Sequence, residues 1–207
     1  MTQATRAGQM ASHHYFDREI GCMAVKLLPS EYYVTDGATA LTTVLGSCVA
    51  ACIHDPQTGV AGMNHFMLPS DSDDVPRNHA DAMRYGAYAM DVLLREMLRA
   101  GAKRERLQAK VFGGGAVLPT MTTLNIGDRN ADFVVQYLRE QGIAIAAQDL
   151  RGPHARRVCF LPSTGKAVVR KLRTQAGVQM IQRDEQALMH RLSGTAPVPR
   201  QTAIKPT

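Results

Sequence analysis

Thr42-Thr43-Val44-Leu45-Gly46-Ser47-Cys48-Val49-Ala50-Ala51-Cys52-Ile53, then His54-Asp55-Pro56-Gln57-Thr58-Gly59, then Val60-Ala61-Gly62-Met63-Asn64-His65-Phe66-Met67: this stretch decides the fold. It is rich in β-branched and small apolar residues and is broken once, by a turn with proline early and glycine late. It reads as two strands joined by a tight connection. Alternation along the first puts Cys48, Ala50, Cys52 and His54 on one face and Val49, Ala51 and Ile53 on the other.

Outward from these strands the pattern changes to helices and strands in alternation. From His79 to Ala100, Met83, Ala87, Met90, Leu94 and Met97 recur three or four residues apart, with Asn78 placed as N-cap and Gly101 as stop. A second helix is expected from Asn130 to Gln141, with Phe133, Val134, Tyr137 and Leu138 on one side; Asn125 to Asn130 reads as a loop ending in its cap. Strands are expected at Gln108 to Phe112 and Ile143 to Asp149, then a hairpin of Arg157 to Leu161 and Lys166 to Leu172 around Pro162-Ser163-Thr164-Gly165. The order implies an α/β fold with a mixed sheet and helices packed against it. Polar residues 1–14 are expected to be a disordered tail, 15–172 the working domain, and 173–207 a C-terminal extension, partly helical and then disordered.

With 207 residues the chain suits one domain with a substantial core, and 45% hydrophobic and 20% charged residues exclude a disordered chain as a whole. No apolar run approaches a bilayer span, and the first residues lack the basic start and apolar stretch of a secretory signal, so a cytoplasmic location without membrane insertion is expected. In a reducing compartment Cys22, Cys48, Cys52 and Cys159 are thiols. The net charge of +6 favours acidic surfaces, but the basic residues are dispersed and few aromatics lie between them, which argues against nucleic acid as the partner.

Leu45-Gly46-Ser47-Cys48 sets a cysteine directly after two small residues, where backbone and substrate can approach closely. His65 follows seventeen residues later in the second strand, and adjacent strands can bring a thiol and an imidazole together as nucleophile and base. Thr42 is a candidate third group through its hydroxyl, and Gly46, Ser47 and Asn64 are candidates for substrate contacts. Two other readings stay open: Cys48 as packing, which is the common role of a cysteine among small residues, and a metal site from Cys48, Cys52, His54 and His65, although Cys-x3-Cys-x-His is not a familiar zinc spacing. Gly113-Gly114-Gly115 lacks the Gly-Lys-Ser/Thr of a phosphate loop and reads as a tight turn beside the site.

Thr42, Leu45 to Cys52, Asp55-Pro56 and Gly62 to Pro69 resemble the CheD family, the receptor-modifying deamidases of bacterial chemotaxis. The likeness continues through Ala109 to Ala116, Asn125 to Asn130 and Arg151 to Val158, and covers about residues 20–172. It implies a single-domain, three-layer α/β fold and hydrolysis of glutamine side chains to glutamate on methyl-accepting chemotaxis receptors, with activity on glutamyl methyl esters as well. The family's catalytic cysteine, histidine and threonine fall by position on Cys48, His65 and Thr42, with no metal or organic cofactor. The implied partners are the helical cytoplasmic region of the receptors and, because some members bind CheC, a CheC-like phosphatase.

Overall fold

The run Val49-Ala50-Ala51-Cys52-Ile53 is buried throughout, as a strand covered on both faces must be. It is the centre of the computed structural model, which describes residues 8–68, 79–117, 126–172 and Arg183. The strands are β1 (Gln9–Met10), β2 (His13–Asp17), β3 (Cys22–Lys26), β4 (Glu31–Thr35), β5 (Ala40–Leu45), β6 (Val49–His54), β7 (Ala61–Asn64), β8 (Gln108–Gly113), β9 (Ala144–Leu150), β10 (Ala155–Leu161) and β11 (Lys166–Leu172). The helices are α1 (His79–Arg99) and α2 (Ile126–Glu140), with a 3-10 turn at Arg104–Arg106.

Six strands form one sheet in the order β1-β4-β7-β6-β8-β9, and five form a second in the order β11-β10-β5-β3-β2. Both are mixed, with parallel pairs at β1/β4, β8/β9 and β3/β5. The alternation read from sequence sorts the core as expected. Val49, Ala51 and Ile53 meet Leu93 and Met97 of α1 and Val134 and Leu138 of α2. Cys48, Ala50 and Cys52 meet Leu41, Leu45 and Phe160 of the five-stranded sheet. The result is three layers, helices on sheet on sheet, in one α/β domain.

The stretch 42–67 holds three strands where two were expected. β5 and β6 lie in different sheets, and Gly46-Ser47-Cys48 is the crossing between them. Helix α1 follows its apolar stripe, while Asn78 and the side chain of Met83 lie outside the described residues. Helix α2 starts at Ile126, four residues before the expected start, so Asn130 is a buried residue within the helix and not its cap. Part of the expected N-terminal tail is strand: β1 pairs with β4 and β2 with β3. Those pairings are made by backbone groups, so polar sequence did not betray them. Residues 1–7 and, Arg183 aside, the C-terminal extension lie outside the described residues.

The turn after β6 is anchored by Asp55, which is fully buried. Its carboxylate accepts hydrogen bonds from Arg106 Nη2 (2.6 Å) and Nε (3.0 Å) and from the backbone N–H groups of Lys103 (2.9 Å) and Gln57 (3.0 Å). The Arg106 bonds hold the Asp55 carboxyl well below the usual carboxylate range. A depressed folded value means that this stabilisation is complete above the unfolded value of about 4 and is lost as pH falls below it. Asp55→Asn is expected to lower Tm by roughly 5–10 °C at neutral pH, because it strips the guanidinium of its partner. Thermal melts across pH should also show a shallower loss of stability below about pH 4 in this variant than in the parent.

Candidate active site

Three consecutive carbonyls fix the crossing that carries Cys48. Gly46 O accepts from Gly115 N (2.7 Å), Ser47 O from Asn130 Nδ2 (2.8 Å) and Cys48 O from Gly114 N (2.8 Å). Gly113 makes this approach possible: its φ is 110°, and a Cβ there would lie 2.1 Å from Cys48 O. The glycine triplet is thus the tight turn expected from sequence, seated against the backbone of Cys48. It is braced in turn by Arg156, whose buried guanidinium donates to Gly113 O (3.2 Å), His154 O (3.2 Å), Asp149 Oδ1 (3.0 Å) and the carbonyls of Asp149 and Arg151.

The backbone of His65 is held from both sides. Its N–H donates to Glu31 O (2.9 Å) and its carbonyl accepts from Ser30 N (2.8 Å), while the next residue, Phe66, exchanges two 2.9 Å bonds with Val49. That antiparallel bridge sets Ala50 opposite His65 and Cys48 one position along the diagonal, on the same face of the six-stranded sheet. Cys48 and His65 therefore both point into the space between the sheets. Both are enclosed, with exposures of 0% and 3%.

The hydroxyl at the imidazole belongs to Thr43. Thr43 Oγ1 donates its proton to Leu27 O (2.9 Å) and lies 2.8 Å from His65 Nδ1. With its proton committed, the oxygen accepts, so Nδ1 carries the ring hydrogen and Nε2 presents a lone pair. Among the described residues Nε2 has no hydrogen-bond partner. Burial pushes the imidazole down to about 4, with the Lys26 charge adding to this and the Leu27 carbonyl opposing it. The ring rests neutral and able to take a proton.

Thr42, the candidate read from sequence, is on the opposite face of β5, where its hydroxyl meets Tyr15 Oη (2.9 Å) and Val25 O (3.4 Å). Asn64 also faces away: its carboxamide accepts from Ala51 N (3.0 Å) and donates to Ala89 O (3.2 Å), tying β6 to α1. Gly46 and Ser47 flank Cys48 and are buried within the crossing. The structure thus brings Cys48, His65, Gly46 and Ser47 together and leaves Thr42 and Asn64 outside. Thr43 was not singled out from sequence, Asn130 entered as a helix cap within the Asn125 to Asn130 stretch, and Arg156 only within Arg151 to Val158. Alternation from Leu41 and Leu45 would have found Thr43 once their inward direction was known.

Cys52 and Cys159 are buried thiols whose surroundings push them up, Cys159 to about 11, which suits packing and not nucleophilic work. Among the described residues no group of three or more His, Cys, Asp and Glu side chains could hold a metal ion. Nor is any helix among them long and apolar enough to cross a membrane.

A family model described as CheD chemotactic sensory transduction matches residues 67–171. The chain is 61% identical over 191 residues to a protein of Cupriavidus pinatubonensis called probable chemoreceptor glutamine deamidase CheD, covering 91% of this chain and 88% of that one. A protein of the same name from Cupriavidus metallidurans is 58% identical over 197 residues, covering 95% and 90%. A third, from Burkholderia vietnamiensis, is 58% identical over 166 residues, covering 80% and 68%. Identity at this level over most of both chains establishes that the chain belongs to the CheD family.

Proposed function

We propose that the protein hydrolyses the side-chain carboxamide of glutamines on chemoreceptors, the activity carried in the names of its relatives, with Cys48 as nucleophile and His65 as base. The observation that supports the assignment of roles is that buried His65, on the inter-sheet face it shares with Cys48, has its Nδ1 at Thr43 Oγ1 and its Nε2 without a hydrogen-bond partner among the described residues.

The Cys48 thiol gives its proton to Nε2 as Sγ bonds to the carboxamide carbon, forming a tetrahedral adduct. The adduct collapses by breaking the C–N bond, and the imidazolium returns the proton to the nitrogen, which leaves as ammonia. A water then attacks the thioester, giving one proton to Nε2. The C–S bond breaks, the sulfur recovers that proton, and the carboxylic acid formed releases its remaining proton to solvent, leaving glutamate. Thr43 keeps the ring in the tautomer that this cycle needs. An amide on a helix of the receptor's cytoplasmic region supplies its own positioning contacts, so remote binding offsets the small size of the reacting group.

Peptide mass analysis of receptor fragments incubated with the protein tests this reading. Conversion of glutamine to glutamate by the parent and none by Cys48→Ala, with the variant's Tm within a few degrees, is expected; full activity in Cys48→Ala would remove the mechanism. Thr43→Ala should lower kcat roughly 10- to 100-fold and Thr43→Ser should restore most of it, whereas Thr42→Ala should be milder.

The pH profile follows from the buried ring. Because its proton affinity is depressed, kcat/KM is expected to stay level from neutral pH through about 5 and to fall only near 4, not near the ordinary histidine value of about 6.5. Folding stability follows the same sign. The contribution of neutral His65 is complete above about 6.5 and is lost as pH falls from there through about 4, so melts of His65→Gln should show less destabilisation across that window.

A further inference from the structure

Asn130 is completely buried on α2, and its side chain joins two segments that are distant in sequence. Nδ2 donates to Ser47 O and Oδ1 accepts from Leu68 N, both at 2.8 Å. Ser47 is the residue before Cys48, and Leu68 is three residues beyond His65. The direction of the carboxamide follows from its partners, since a carbonyl can only accept and a backbone N–H only donate. One short side chain with one donor and one acceptor therefore spans the segment that carries the nucleophile and the segment that carries the base.

Neither β6 nor β7 sets that spacing alone. An isolated bridge beyond their ladder sets Val49 against Phe66, but Cys48 lies in the crossing before β6 begins and β7 ends at Asn64, before His65. Asn130 supplies the tie on the helix side of the pair, and the ring of Phe133, one turn along α2, packs edge-on against Phe66 at 5.7 Å. An aspartate in its ionised form keeps the acceptor and loses the donor, so it would repel Ser47 O. A leucine loses both and leaves a buried carbonyl and N–H unpaired.

We propose that Asn130 is a positioning residue for Cys48 and His65, fixing the segments that carry them relative to each other without touching substrate. The role rests on the deamidase reading given above, and its test is built to survive failure of that reading. Two quantities are measured per folded molecule across pH in the parent, Asn130→Leu and Asn130→Asp. One is steady-state deamidation of receptor fragments; the other is alkylation of Cys48 by iodoacetamide, which needs no receptor.

In Asn130→Leu, kcat is expected to fall at least about 30-fold with KM within about threefold, because misplacement by an ångström costs on this scale. In Asn130→Asp a protonated carboxyl reproduces the donor and acceptor of the amide. Its kcat and its Cys48 alkylation rate should therefore approach the parent's at acidic pH and depart from them as the carboxyl ionises, a limb absent from the parent. This comparison carries the test if Asn130→Leu does not fold. Parent-like kcat and alkylation profiles in folded Asn130→Asp at all pH values would overturn the proposal. If the parent deamidates no receptor fragment, the added limb in the alkylation profile still upholds the positioning role, and its absence still removes it.

Discussion

The chain has three residues, Gly46, Ser47 and Cys48, in which to leave one sheet and enter another, and the site depends on that crossing. A crossing between stacked sheets takes backbone polar groups out of both ladders, and they must be paired elsewhere. Here the partners of the three carbonyls are two glycine N–H groups and one asparagine carboxamide. This is why a helix and a glycine turn converge on the point where the strand changes layer. Cys48 is held in part by what satisfies the backbone groups of the crossing, so its placement owes much to hydrogen-bond accounting.

The same enclosure shapes His65. A histidine between two sheets has little water to stabilise its charged form, and burial outweighs the one favourable carbonyl contact at Leu27. A neutral ring with one nitrogen occupied and one bare is the state in which a thiol proton can be received. Residues that look unrelated in sequence, Leu27 on the segment after β3, Thr43 on β5 and His65 after β7, meet because the two sheets stack on each other.

That Cys48 and His65 share one face was legible because alternation and order along one segment place them, and because the Leu45 to Cys52 and Gly62 to Pro69 motifs are distinctive. Thr43 was not, since two threonines in succession point to opposite faces and only the stacking of β5 reveals which face matters. Asn64 could have been set aside by the same rule, being next to His65 in an extended chain and so on the opposite face. The helices were visible from apolar spacing, yet the start of α2 was not. Ile126-Gly127-Asp128 has poor helix formers and reads as a loop, and helix forms there through tertiary packing, with Gly127 pressed against Gly114 O. Strands β1 and β2 were hidden for a related reason, since edge pairing needs backbone groups and little hydrophobicity.

Arg156 belongs to β10, in the five-stranded sheet, but most of its bonds end on Gly113 and Asp149, at the ends of two strands of the six-stranded sheet. Separating the sheets at that end would leave a guanidinium buried among carbonyls it no longer reaches, or drag it into water through apolar surroundings. Partial opening there is consequently expensive, and the two layers share one fate. In native-state amide exchange they are expected to behave as a single cooperative unit rather than as two independently fraying sheets, with the strand ends around Cys48 exchanging with the core rather than with the surface.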